Sequence, residues 1–145
     1  MSKLTETKQA YDRVQGLLRK QLLTQGSDAR QIRAAQEAVD TAFYLLGWGQ
    51  FEYLTRREAE RRVDEQAKAK TIHGAAWRYV KQNIKSFSLR KKLEVIFHAD
   101  QATLASLEED YERRNETAHD YKKLPKEARD ISAWLKELEQ LVDRY

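Results

Sequence analysis

The chain has 145 residues, a net charge of +4, 34% charged and 41% hydrophobic residues, and no cysteine. That length suits one domain with a real core, and the missing thiols exclude a disulfide framework, a thiolate zinc site and a cysteine nucleophile. The three histidines at 73, 98 and 119 are too scattered for a histidine-rich metal site, and no apolar run reaches the roughly 18–20 residues of a membrane span.

The opening residues Met1–Lys8 lack the apolar core of a signal peptide. The expectation is therefore a cytoplasmic protein that needs no membrane, metal or cofactor. Five glycines and one proline leave little material for turns. Ala, Leu, Lys, Arg, Glu and Gln dominate, the residues that lose least on entering a helix, so an all-α fold is expected.

A first helix is predicted over about 4–23, with Leu4, Tyr11, Val14, Leu17, Leu18 and Leu22 as its apolar stripe. Gln25-Gly26-Ser27-Asp28 reads as a stop followed by a new N-cap. A long helix follows over about 29–67 with two apolar faces. Val39, Ala42, Phe43, Leu46 and Leu54 form one, and Tyr44, Trp48 and Phe51 the other. A helix with two apolar faces must bury both, in its own core or against a second copy. Gly47 and Gly49 flank Trp48 and permit close helix approach or a kink. In the exposed end, Arg57 and Arg61 share a face and can join a basic patch or pair internally with Glu58 and Glu60.

Helices near 72–84 and 89–98 are separated by Ser86-Phe87-Ser88. Asp100 can cap a further helix that carries Leu104, Leu107 and Tyr111 inward. Leu124-Pro125 interrupts the chain, because proline disfavours helix at the residue before it. The last helix is predicted over about 126–144, from the spacing of Ile131, Trp134, Leu135, Leu138, Leu141, Val142 and Tyr145. An antiparallel four-helix-type bundle with one or two short extra helices fits this order, as a single domain over 1–145 with residues 1–25 as an N-terminal addition.

Charge is unevenly spread. Residues 1–65 hold 11 basic and 10 acidic side chains, and residues 94–145 hold 8 and 13. Between them, Lys68, Lys70, Arg78, Lys81, Lys85, Arg90, Lys91 and Lys92 occur without a single acid over 66–93. Such a block suits contact with a polyanion or a plain solvated surface. Arg78, Lys81, Lys85, Arg90, Lys91 and Lys92 are the candidate RNA-binding residues. Trp77, Tyr79 and Phe87 lie among these cations as core residues or as base-stacking surfaces.

The octet Arg114-Asn115-Glu116-Thr117-Ala118-His119-Asp120-Tyr121 is the most reactive stretch. Arginine grips phosphate through a planar fork of donors, and histidine moves protons near neutral pH. Asn115 and His119, four apart, share a helix face. Arg114 and His119 diverge by about 140° on an ideal helix. Convergence therefore needs the arginine's reach, a helix end between 115 and 121, or a second copy of the motif. His73 and His98 have no such neighbours, and the glutamates at 108, 109, 112 and 116 read as a solvated face.

Arg-Asn-x-x-x-His, late in an all-α chain and followed by an amphipathic final helix, resembles the HEPN superfamily. The extended form Arg-x4-His-x-Tyr resembles HepT-type toxins and related partners of small nucleotidyltransferases. The resemblance rests on eight residues and extends loosely over about 30–145. It implies a four-to-five-helix bundle, a homodimer with two motifs facing a shared cleft, and metal-independent endoribonuclease activity in a toxin or defence effector. On this resemblance Arg114 and His119 are the catalytic pair, Asn115 supports them, and Tyr121 can receive nucleotide groups. Glu52 is the counterpart of an acidic residue on an earlier core helix. It equally accommodates a non-catalytic partner of a nucleotidyltransferase, and the basic stretch and the first 25 residues have no counterpart in the HepT-type relatives.

Overall fold

The computed structural model describes residues 2–24, 28–120, 124 and 130–145. Among them are six α-helices, one 3-10 turn and no strand: α1 (Lys3–Thr24), α2 (Ala29–Ala67), α3 (Ile72–Asn83), the turn Ile84–Ser86, α4 (Leu89–Phe97), α5 (Gln101–Asp120) and α6 (Ile131–Val142). The fold is all-α. None of these helices is long and apolar enough to cross a membrane.

Local chemistry sets the helix limits. The Thr71 hydroxyl accepts the Gly74 N–H, and the Ser88 hydroxyl accepts that of Lys91. Asp100 accepts the Thr103 N–H at 3.1 Å, and Asp130 that of Ala133 at 2.9 Å. Each cap supplies an acceptor for an amide that the first helical turn leaves without one. Because Asp130 is the cap, α6 begins at Ile131 rather than near 126, and it ends at Val142. The expected break at Gln25–Ser27, Pro125 and residues 126–129 lie outside the described residues.

Contacts cluster into two compact units that share α2 and α5. The first comprises residues up to Phe51 and from Arg113 to Arg144. Here α1 packs on α6. Leu4, Thr7, Tyr11 and Gln15 turn inward from α1, and Ile131, Trp134, Leu135 and Leu138 from α6. Polar contacts fix the register of α1 on α2. Tyr11 donates to Asp40 at 2.8 Å, and Gln15 donates to the same carboxylate and to the Gln36 carbonyl. Burial first, then the bond to Asp40, holds the Tyr11 phenol above its ordinary pKa.

The Tyr44, Trp48 and Phe51 face of α2 is the core of this unit, and all three are buried. Tyr44 stacks on Trp134 with centroids 4.6 Å apart, and Trp48 meets Phe51 at 5.5 Å. On the other face Leu46 stays half exposed. At Gly47 α6 comes close, since a Cβ there would stand 2.3 Å from Leu135 Cδ2. The two glycines differ, because a Cβ at Gly49 would meet nothing within 4 Å.

The second unit spans Glu52–Glu112 with Tyr145. Its core holds Val63, Ile84, Leu89, Leu93, Ile96, Phe97, Leu104 and Leu107. Tyr145 hydrogen-bonds Thr55 at 2.7 Å and packs on Phe97. Gly74 is required by crowding, because a Cβ there would lie 1.8 Å from the Ala69 carbonyl oxygen. Backbone cannot swing aside as a side-chain tip can. Gly74→Ala is therefore expected to cost about 1–3 kcal/mol, read as a lowered urea midpoint. An unchanged midpoint would contradict this packing.

Glu58 is the electrostatic centre of this unit. Its carboxylate accepts from Arg61 Nε at 2.8 Å and Nη2 at 2.6 Å, and from Arg62 Nε at 2.7 Å. Arg62 also donates to the Ile96 carbonyl, which ties α2 to α4. Burial alone would raise the Glu58 carboxyl, but the bonds from Arg61 and Arg62 outweigh it and hold it below the usual glutamate range. The unfolded chain therefore takes up this proton more readily than the folded one. The stabilisation is present above about pH 4.3 and is lost as pH falls further. Glu58→Gln should destabilise at pH 7 and much less at about pH 3, measured by urea melts. An equal loss at both values would contradict it.

Candidate functional site

Helix α5 carries the motif through its last two turns. Arg114, Asn115 and His119 are all helical, and the helix continues to Asp120. No helix end falls between 114 and 119, so the divergence of about 140° expected for five residues stands. Because the helix runs unbroken past both side chains to Asp120, convergence within 114–119 rests on the arginine's reach or a second copy. Thr117, between them, is buried and donates to the Arg113 carbonyl at 3.0 Å.

Arg114 is half-buried, and its Nη1 donates to Asn115 Oδ1 at 3.0 Å. Asn115 Oδ1 is therefore in contact with the guanidinium. Arg114 Nε is buried and has no hydrogen-bond partner among the described residues. Two features follow for an anion near this face. The guanidinium is held at one corner, and its remaining N–H donors have no acceptor among the described residues. His119 is exposed on the final turn, so its ring is open to a ligand. Tyr121 lies outside the described residues.

Glu52 belongs to the second unit. Its Oε1 accepts two hydrogen bonds from Arg56, at 3.1 and 2.7 Å. Arg57 sits 5.8 Å from the Tyr53 ring centroid, whereas Arg61 takes the carboxylate contacts. Among the described residues no group of three His, Cys, Asp or Glu side chains is arranged to hold a metal ion.

The acid-free segment falls wholly in the second unit, on α3, the 3-10 turn and α4. Its cations divide into held and open groups. Lys92 is buried and pairs with Glu60 at 3.1 Å, so its charge is kept inside the unit. Lys81 pairs with Asp64 at 2.6 Å, and Arg90 reaches Glu108 and Glu112. Arg78 donates to the carbonyls of Ala67 and Ala69, closing the turn before α3. Lys85 and Lys91 are exposed and have no acidic partner among the described residues. Of the interleaved aromatics, Trp77 and Phe87 are half-buried and Tyr79 is exposed.

Sequence reasoning missed the Lys92–Glu60 pair and, having expected Arg61 to pair with Glu58, missed the burial of that carboxylate. The Lys92–Glu60 pair links residues 32 apart, and no local pattern announces it. The Glu58 hub was signalled by its i+3 and i+4 arginines, but only burial makes it a core element. No protein-family model, curated protein or solved structure matches the chain.

Proposed function

We propose that the protein is a metal-independent endoribonuclease of HEPN type, a toxin or defence effector acting as a homodimer on RNA. The observation that carries this reading is the end of α5. There a guanidinium steadied by Asn115 keeps donors to spare, and an exposed histidine stands one turn further along the same helix.

The chemistry needs three actions. Neutral His119 takes the proton of the ribose 2′-hydroxyl as that oxygen attacks the adjacent phosphorus. Arg114 neutralises charge on the non-bridging oxygens of the phosphorane. The P–O5′ bond then breaks, and the imidazolium returns the proton to the departing 5′-oxygen. The products are a 2′,3′-cyclic phosphate and a 5′-hydroxyl. A second copy enters the reading because Arg114 and His119 diverge on a continuous helix, so the pair can be completed across two motifs. Lys85 and Lys91 supply open cations for the RNA backbone.

The test is cleavage of single-stranded RNA by the full-length protein in EDTA, alongside the double variant Arg114→Ala/His119→Ala. The wild type should cut and the double variant should not. Equal cutting by both would overturn the assignment. Intact RNA together with co-purification of a small nucleotidyltransferase would instead support a non-catalytic, substrate-presenting partner of that enzyme.

A further inference from the structure

The second unit has an open concavity of about 480 Å³ where α3, the 3-10 turn and α4 meet. Pockets for small ligands span about 300–1,000 Å³, so one nucleotide is of the right order. Its walls are Tyr79, Val80, Asn83, Ser86, Phe87, Ser88 and Lys91. We propose that this concavity is a subsite for one unstacked nucleotide of single-stranded RNA. Tyr79 carries the base, Asn83 and the two serines meet its edge, and Lys91 holds the adjoining phosphate. The proposal rests on the RNA reading above and adds to it where the strand is gripped.

Three observations converge on this ligand. The first is aromatic. Tyr79 is 71% exposed although it stands on a helix beside apolar neighbours, so its ring offers a free face of the kind that stacks on a base. Phe87 forms a second aromatic wall, with Lys91 Nζ 5.4 Å from its ring centroid.

The second is unused hydrogen-bonding capacity. Asn83 uses one amide hydrogen on the Tyr79 carbonyl and keeps its own carbonyl oxygen and second N–H. A carboxamide with one donor and one acceptor is suited to pairing with a base edge. Ser86 donates to the main-chain carbonyl of Asn83, which leaves the serine oxygen able to accept. Ser88 accepts from the Lys91 amide as the cap of α4, which leaves its hydroxyl hydrogen to donate.

The third is charge. No carboxylate lines the concavity, and no acid occurs anywhere over 66–93. Lys81, Arg90 and Lys92 are occupied by Asp64, Glu108, Glu112 and Glu60. Lys91 at the rim, with Lys85 on the adjoining turn, remains open to a phosphate. A duplex would hide the base face that Tyr79 needs, so the site selects unpaired RNA.

The test uses full-length protein carrying His119→Ala, so that RNA survives, and fluorescence anisotropy of a labelled 12-nucleotide RNA. Tyr79→Ala should weaken binding by about 5- to 100-fold, and Tyr79→Phe should retain it within about twofold. Lys91→Gln should flatten the salt dependence by about 0.7 in the log–log slope. The same sequence as a duplex should bind without sensitivity to Tyr79. Excess UMP should displace the strand from the parent and not from Tyr79→Ala.

Binding that is indifferent to both Tyr79→Ala and Lys91→Gln overturns the subsite, and if the His119-bearing protein still cuts RNA, the ribonuclease reading stands. UMP bound through Tyr79 with no binding of the strand also overturns it, in favour of a free nucleotide. A wild-type protein that neither binds nor cuts RNA removes the ribonuclease reading and the subsite together.

Discussion

His119→Ala should lower RNA cleavage by about 10²–10⁴-fold, the range over which a positioned acid–base group acts. The protein's stability should stay nearly unchanged, because the ring is exposed at the end of α5 and surface substitutions cost within about 0.5 kcal/mol. Arg114→Lys should also reduce cleavage while keeping the charge. Lysine lacks the planar fork that can touch Asn115 and a phosphate at once, whereas Nη1 of Arg114 holds Asn115 at 3.0 Å. Single-turnover cleavage rates with saturating protein check both. A rate for His119→Ala within twofold of wild type, with the fold intact by circular dichroism, contradicts the role given to the imidazole.

The second large effect is on stability. Trp48→Ala should cost about 3–5 kcal/mol, the usual loss for removing a buried large aromatic side chain. Trp48 is fully buried beside Phe51, on the turn where Gly47 admits Leu135. Leu46→Ala, two residues away on the half-exposed face, should cost under about 1.5 kcal/mol, because much of its surface already meets water. Since whole domains are stable by only about 5–15 kcal/mol, the tryptophan variant should lose a large part of the total. Urea midpoints for the pair measure the contrast. Similar losses for both would contradict the assignment of the Trp48 face to the core.

The helices were legible because their limits are written locally. The predicted 29–67 segment is α2, and the segments near 72–84 and 89–98 become Ile72–Asn83 and Leu89–Phe97. Thr71 and Ser88 cap the latter two within three residues of sequence. α6 starts at Ile131, the first residue of its apolar spacing, because Asp130 caps the first free amides. Periodicity located both apolar faces of α2 but could not rank them. That ranking depends on α6, which brings Trp134 and Leu135 onto the Tyr44 side.

The candidate site was legible as residue types and illegible as geometry. Arg114, Asn115 and His119 could be named from one short stretch. Whether α5 would end inside it could not, and its continuation to Asp120 keeps Arg114 and His119 on one unbroken helix. The basic segment shows the same limit. Eight cations are visible in sequence, yet which of them stay open depends on carboxylates brought in from distant positions, such as Glu60 against Lys92.

The most direct test of the central claim is end-group analysis of RNA cut by the full-length protein in EDTA. Attack by the 2′-hydroxyl predicts 2′,3′-cyclic phosphate and 5′-hydroxyl ends, lost in His119→Ala. Fragments with 5′-phosphate and 3′-hydroxyl ends, or no fragments at all, would contradict it.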